Sequence, residues 1–112
     1  MKFDKELLKG ATETLVLAAL AEKPSHGYQL VERLRQQSEG IFELGEGTLY
    51  PLLYKLEARG LIQGDWEPGS GQRKKRVYRL TPRGKKQLAG RSEQWQALVR
   101  GMTLIVGSLN YA

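Results

Sequence analysis

Residues 72–91, QRKKRVYRLTPRGKKQLAGR, contain the signals that decide the fold of this chain. Basic and apolar residues are interspersed from Lys75 to Leu80, which predicts a strand with Tyr78 and Leu80 on one side and Val77 and Arg79 on the other. Thr81-Pro82 follows directly and predicts the start of a helix, because threonine caps helices and proline favours the first helical position. Before this stretch, Pro68–Gly71 predicts a turn and residues 61–67 predict a strand. The sequence therefore predicts a β-hairpin that leads into a helix.

The same stretch carries the positive charge of the chain. It contains nine lysines or arginines and no carboxylate, whereas residues 1–71 contain eight basic and eleven acidic residues. Residues 92–112 contain one residue of each sign, so the formal net charge of +6 comes from this stretch alone. Concentrated basic charge favours binding to a polyanion, since each cation that meets a phosphate releases counterions.

Length and composition restrict the class of protein. The chain has 112 residues, 40% hydrophobic and 27% charged, as expected of one globular domain. It contains no cysteine and one histidine, so we expect no disulfide, no metal site, no cofactor and no enzymatic activity. The N-terminus lacks the apolar core of a signal peptide, and residues 98–109 are too short to span a bilayer. We therefore expect a cytoplasmic protein without a membrane partner.

Three helices are predicted before the hairpin. Apolar periodicity predicts the first over residues 5–22. The second begins after Ser25, a candidate N-cap, and ends near Glu39-Gly40. A very short strand over residues 41–44 precedes the third, which runs from about Gly47 to Arg59. This order predicts a mainly α (α+β) fold, a winged helix-turn-helix.

The last helix is predicted from Pro82 to about Asn110, roughly 43 Å long. A compact chain of this size has a radius of gyration of only about 13 Å, so the helix must extend beyond its own domain. Its apolar residues repeat every seven positions, which is typical of a coiled-coil seam. We expect a second copy of the helix to cover this seam in a homodimer, although packing of the whole seam on the chain's own helices is the alternative. The predicted interface comprises Leu88, Trp95, Leu98, Met102, Ile105 and Leu109.

The chain is accordingly divided into residues 1–80, a winged helix-turn-helix DNA-binding domain, and residues 81–112, a dimerisation helix. In helix-turn-helix proteins the recognition helix enters the major groove of double-stranded DNA. The third helix turns four leucines inward, which leaves Thr48, Tyr50, Tyr54 and Lys55 on or beside its outer face. Thr48 is either a helix cap or a contact.

Other DNA contacts are predicted around the hairpin and the second helix. Arg73, Lys74 and Lys75 lie near the hairpin tip and are expected to neutralise phosphates, and Tyr78 is expected in the core. Tyr28, near the start of the second helix, either contacts a phosphate or is buried. The candidate DNA-binding set is Tyr28, Thr48, Tyr50, Tyr54, Lys55, Arg73, Lys74, Lys75 and Arg76. His26 is expected to serve packing or capping.

Several motifs resemble those of the PadR family of bacterial transcriptional regulators, in order and spacing over about residues 9–90. They are HGYQL from His26, GTLYPLL from Gly47, Leu56-Glu57, Gly60-Leu61-Ile62 and RVYRLTPRG from Arg76. The resemblance implies a winged helix-turn-helix, a homodimer joined through the C-terminal helix, and repression at palindromic operators.

Some short members of that family bind planar compounds between aromatic residues at the dimer interface. The resemblance implies a comparable place for Trp95, where Leu98, Val99 and Met102 would line a site for a planar aromatic or phenolic effector. Trp95 as a packing anchor is the alternative. Three hypotheses about function follow: a dimeric DNA-binding repressor, a ligand sensor whose output is DNA affinity, and a winged-helix module for protein–protein contact without DNA binding.

Overall fold

The computed structural model describes residues 3–68 and 75–107. The elements, in chain order, are α1 (Lys5–Leu8), α2 (Ala11–Glu22), β1 (Ser25–His26), α3 (Gly27–Gln37), α4 (Glu46–Ala58), β2 (Ile62–Trp66), β3 (Arg76–Leu80) and α5 (Pro82–Val106). The predicted mainly helical winged helix-turn-helix with a long C-terminal helix is confirmed. None of the helices in these ranges is both long and apolar enough to cross a bilayer.

The sheet has three antiparallel strands in the order β1-β3-β2, one more than predicted. β2 and β3 form the predicted hairpin, called the wing below, with Gly64 opposite Tyr78. Ser25 was predicted to cap the second helix, but it is buried in β1 and pairs with Tyr78. The N-cap position of α3 belongs to His26, whose backbone N–H donates to Oε1 of Gln29 at 2.8 Å.

The prediction of one continuous helix over residues 5–22 is wrong. The helix is interrupted at Gly10, whose φ of +85° lies in the left-handed region that favours glycine. The short α1 before the break is capped by Asp4, whose Oδ1 accepts the backbone N–H of Glu6 at 2.8 Å.

The segment before α4 also differs from its prediction. Residues 41–44 form no strand, although Leu44 is buried. α4 begins at Glu46, and its N-cap position is occupied by Gly45 instead of Thr48. Thr48 is therefore an exposed residue inside the first turn of the helix.

The hydrophobic core lies between α2, α3, α4 and the sheet. Its largest fully buried side chains include Leu17, Leu30, Leu49, Leu53, Leu56 and Ile62. Tyr78 is 2% exposed, which confirms its predicted place in the core. Tyr78 belongs to the same hydrophobic cluster as the buried leucines of α4.

α5 starts at a tight corner directly after β3. Oγ1 of Thr81 accepts the backbone N–H of Gly84 at 3.0 Å and donates to the carbonyl of Gly60 at 2.7 Å, which confirms the predicted cap. A Cβ on Gly84 would lie 2.0 Å from the carbonyl oxygen of Leu61. The first turn of α5 therefore touches the backbone that leads from α4 into β2.

The predicted seam of α5 is covered only in its first half. Leu88 packs against the core, and Nε1 of Trp95 donates to Oγ1 of Thr14 at 3.1 Å. Farther along, Leu98 and Met102 are each 52% exposed and Ile105 is 73% exposed. Packing of the whole seam on the chain's own helices does not hold within the described residues; Leu109 lies outside them. The chain is elongated, 59 Å along its longest axis.

Candidate nucleic-acid interface

Side chains from α3, α4 and the wing surround a hollow of about 230 Å³. Its lining is mostly aromatic and includes two cations: His26, Gly27, Tyr28, Tyr50, Tyr54, Trp66, Lys75, Arg76 and Tyr78. Five of the nine predicted DNA-binding residues meet here, namely Tyr28, Tyr50, Tyr54, Lys75 and Arg76. The fold thus brings together residues that are almost fifty positions apart in the sequence.

α4 presents one polar face beside this hollow. Leu49, Leu53 and Leu56 are fully buried on its inner side. Thr48, Pro51, Tyr54 and Lys55 are exposed on the outer side, as the helical periodicity predicted. A small proline and a threonine near the N-terminal end leave room for close approach to another surface.

Tyr50 supports α3 as well as facing the hollow. A Cβ on Gly27 would lie 2.7 Å from its hydroxyl oxygen, so only a glycine lets the ring pack this closely against the start of α3. Burial, together with the negative charge of Glu46, raises the pKa of Tyr50. The phenol therefore stays protonated at neutral pH and keeps its hydroxyl donor.

Tyr28 and the beginning of β3 are held together. The Tyr28 side chain is exposed, its ring stacks on His26 with centroids 5.8 Å apart, and Nζ of Lys75 lies 5.4 Å from its centroid. Nε2 of His26 is 2.8 Å from Oε2 of Glu67. Tyr28 is therefore exposed and not buried, and it lies beside Lys75 of the wing.

Arg76 faces the protein. Its two terminal nitrogens donate to the carboxylate oxygens of Glu57 at 3.0 and 2.8 Å, and one also donates to the carbonyl of Gly64 at 2.6 Å. The hydrogen bonds to Glu57 and its negative charge raise the pKa of Arg76 above its ordinary value. Sequence analysis predicted a DNA contact for Arg76; in the structure two of its guanidinium N–H donors are taken by Glu57 and one by Gly64. Arg73 and Lys74 lie outside the described residues.

Lys55 belongs to a second group of charges that sequence analysis missed. Its Nζ lies 3.5 Å from Oε1 of Glu13, which also accepts from Arg59 at 3.1 Å. Oε2 of Glu13 pairs with Arg91 of α5 at 2.9 Å. Burial opposes ionisation of Glu13, but the hydrogen bond and charge of Arg91, with Lys55 and Arg59, outweigh it and lower its pKa. We call these four residues the Glu13 cluster.

The residues predicted for a small-molecule effector lie on α5, away from the hollow. Trp95 is half-buried against α2, and Leu98, Val99 and Met102 are exposed on the following turns. Across residues 3–68 and 75–107, no group of three histidines or carboxylates is arranged to hold a metal ion.

Comparison with known sequences gives two matches of interest. The family model described as "Transcriptional regulator PadR-like family" matches residues 16–90. A curated relative, the transcriptional regulator Rv3488 of Mycobacterium tuberculosis, is 32% identical over 96 residues, which cover 86% of each chain.

Solved structures are similar over almost the whole chain. A PadR family transcriptional regulator from Eggerthella lenta is 36% identical with a TM-score of 0.75, covering 93% of this chain and 85% of that one. A transcriptional regulator from Clostridium thermocellum is 25% identical with a TM-score of 0.82, covering 94% and 99%. The long C-terminal helix is thus part of the shared architecture.

Proposed function

Because the chain belongs to the PadR-like family of transcriptional regulators, we propose that it is a homodimeric repressor that binds specific sites on double-stranded DNA. Membership of this family makes the chain a DNA-binding regulator and not an enzyme. The main support for DNA binding through this surface is that the exposed face of α4 and the basic start of β3 border the same hollow. The protein would act in the cytoplasm.

In this proposal, α4 enters the major groove and the wing follows the adjacent phosphates. Thr48, Tyr54 and Lys55 face the groove from α4, while Tyr28 and Tyr50 flank it. Lys75, with Arg73 and Lys74 before it, neutralises phosphates. Arg76 contributes indirectly: its hydrogen bonds to Glu57 of α4 set the orientation of the wing relative to that helix. The outer face of α4, which the structure describes in full, carries no arginine or asparagine for bidentate base contacts, so DNA shape supplies part of the specificity.

The dimer is proposed from the uncovered half of α5. Leu98, Met102 and Ile105 are more than half exposed on a helix that extends past its own domain. A two-fold partner presents the same apolar stretch and covers both copies. The interface would comprise Leu88, Trp95, Leu98, Met102, Ile105 and Leu109. Two α4 helices would then lie about 34–36 Å apart, one turn of duplex.

A planar aromatic effector is proposed at the same interface. Nε1 of Trp95 is held by Thr14, so the indole has a defined orientation. Leu98, Val99 and Met102 follow on the exposed side of α5 and supply apolar walls, and methionine adapts to varied ligand shapes. Binding there would change how the two copies of α5 meet and so relieve repression.

The direct test is a salt series of binding to duplex from the promoter of the chain's own gene. We expect affinity to fall steeply with salt, and replacement of Arg73, Lys74 and Lys75 by glutamine to weaken binding and flatten the slope. Replacement of Lys5, Lys9 and Lys23, which removes equal charge from exposed positions elsewhere, is the matched control. Indifference to salt, or equal loss in both triple variants, would refute the proposal.

The alternative of a protein–protein interaction module has a different signature. Such a module would ignore bare duplex and would hold its protein partner at high salt. The same salt series therefore separates the two functions.

A further inference from the structure

The carboxylate of Glu13, on α2, forms ion pairs with basic residues from α4, its C-cap and α5. Glu13 lies in the first turn of α2, and its side chain is only 13% exposed. Lys55 is on α4, Arg59 is the C-cap residue directly after α4, and Arg91 is on α5. One carboxylate is thus shared by the helix proposed to contact DNA and the helix proposed to form the dimer.

The two carboxylate oxygens divide the partners between the helices. Oε1 serves α4 and its C-cap, with Arg59 at 3.1 Å and Lys55 at 3.5 Å. Oε2 serves α5, with Arg91 at 2.9 Å. Removing the carboxylate would leave three cations facing one another with no counter-charge among them. Repulsion between them would then push α4 and α5 apart.

A second contact, one residue farther along α2, holds α5 against α2. Thr14 accepts the indole N–H of Trp95 at 3.1 Å, and Trp95 lies four residues, about one helical turn, after Arg91. The two adjacent residues of α2 therefore hold two successive turns of α5. These two contacts define the position of α5 at this point, and of the two the one through Glu13 extends to α4.

We propose that Glu13 is a positioning residue for DNA binding, which fixes Lys55 and the C-terminal half of α4 against α5. This inference rests on the proposed function, because it assumes that α4 contacts DNA. In this proposal Glu13 itself touches no DNA; it sets the direction in which Lys55 approaches a phosphate at the edge of the groove. Since Arg91 holds the same carboxylate, the orientation of α4 depends on where α5 lies.

The test compares two variants of equal charge in the full chain, Glu13→Gln and Glu22→Gln. Glu22 is also on α2, but it is exposed and its carboxylate meets Arg33 and Gln37 of α3. Each substitution makes the protein more positive by one charge, which alone would strengthen binding to DNA. We expect Glu22→Gln to bind duplex as the wild type does or more tightly. Glu13→Gln should bind about fivefold more weakly or worse, with a salt slope lower by about one as Lys55 loses its phosphate.

A second pair of variants tests the same proposal if Glu13→Gln does not fold. Arg91→Gln and Arg100→Gln each remove one cation from α5, and Arg100 lies on the exposed part of the helix. We expect Arg91→Gln to weaken binding about fivefold more than Arg100→Gln, as its loss releases α5 from Glu13. Circular dichroism at the assay temperature confirms that each variant compared is folded.

The outcomes are distinct. Wild-type protein that ignores duplex refutes the proposed function. Wild-type protein that binds, with Glu13→Gln equal to Glu22→Gln or with Arg91→Gln equal to Arg100→Gln, overturns the positioning role alone. Weaker binding with an unchanged salt slope would also overturn it, because a general loss of structure would lower affinity without removing one particular phosphate contact.

Discussion

The carboxylate of Glu57 accepts two hydrogen bonds from the guanidinium of Arg76, at 3.0 and 2.8 Å, and so joins α4 to the wing. Oε2 of Glu57 also accepts the backbone N–H of Gly64 at 3.0 Å, on the strand opposite Arg76. One side chain of α4 therefore contacts both strands of the hairpin. The angle between the helix and the wing is fixed by this fork, which a single point charge such as lysine could not reproduce.

Replacement of Glu57 by glutamine should lower the free energy of unfolding by about 1–3 kcal/mol, because Arg76 keeps its charge but loses its counter-ion. Urea unfolding monitored by circular dichroism measures the change. Glu32→Gln is the control: its pair with Arg35 lies on the exposed face of a single helix, so solvent screens it and its loss should cost much less. Equal effects of the two substitutions would contradict the special role of the fork.

Replacing Gly84 and Gly90 of α5 by alanine should change the stability of the fold in opposite directions. At Gly84 the new Cβ would meet the Leu61 carbonyl, and we expect a loss of at least about 2 kcal/mol or failure to fold. At Gly90 a Cβ would have no neighbour within 4 Å. There alanine should stabilise the helix by about 0.5–1 kcal/mol. Thermal unfolding of both variants measures the two effects, and a stable Gly84→Ala chain would refute the tight corner.

Negative charge on the exposed seam should separate the proposed dimer. Leu98→Glu combined with Met102→Glu places two carboxylates in the apolar stretch, and sedimentation should then give the mass of one chain. Gln96→Glu combined with Thr103→Glu adds the same charge to exposed positions on the opposite face of α5 and should leave the dimer intact. A dimer that survives the first pair, or dissociates equally in both, would place the interface elsewhere.

Acid should weaken the contribution of Glu13 to stability. Its pKa is lower in the folded chain than in the unfolded one, so the stabilisation is present above about pH 4.3, the value of an unperturbed glutamate. It is lost as the pH falls through the lowered pKa. The difference in urea midpoint between wild type and Glu13→Gln should therefore shrink as the pH is lowered from 6 toward about 3. A difference that stays constant over this range would contradict the shift.

Effector binding can be followed through one tryptophan at a time, because the chain contains two. In Trp66→Phe the remaining emitter is Trp95, and we expect planar aromatic compounds that weaken DNA binding to quench it. In Trp95→Phe the remaining Trp66 should respond little. Quenching confined to Trp66 would move the effector site from α5 to the hollow.

Periodic features were predictable from the sequence. The leucines of α4 recur at helical spacing; Leu49, Leu53 and Leu56 are buried and Leu52 is partly buried. Thr81-Pro82 marks the start of α5 because both residues act through local geometry. Tyr78 was predicted inside from the alternation of β3. Such signals depend only on neighbours along the chain, and the structure follows them closely.

Features that depend on distant residues were not predictable in this way. Ser25 resembles a helix cap, but pairing with β3 makes it a strand residue, and no local signal reports a strand partner fifty residues later. Arg76 resembles its basic neighbours in sequence, yet its position opposite Glu57 turns it inward. Glu13 has no unusual sequence context, and its three partners become visible only when α4 and α5 are packed.

The corner at Thr81 and Gly84 also has a mechanical consequence. With its first turn held against the Leu61 backbone, α5 is fixed to the wing where it begins, so a tilt of the helix would be shared by the wing. For a rod of this length, roughly 37 Å, a tilt of about 5° at the corner displaces the far end by about 3 Å. In the proposed dimer, a small change in the angle between the two copies of α5 would therefore be transmitted to both wings.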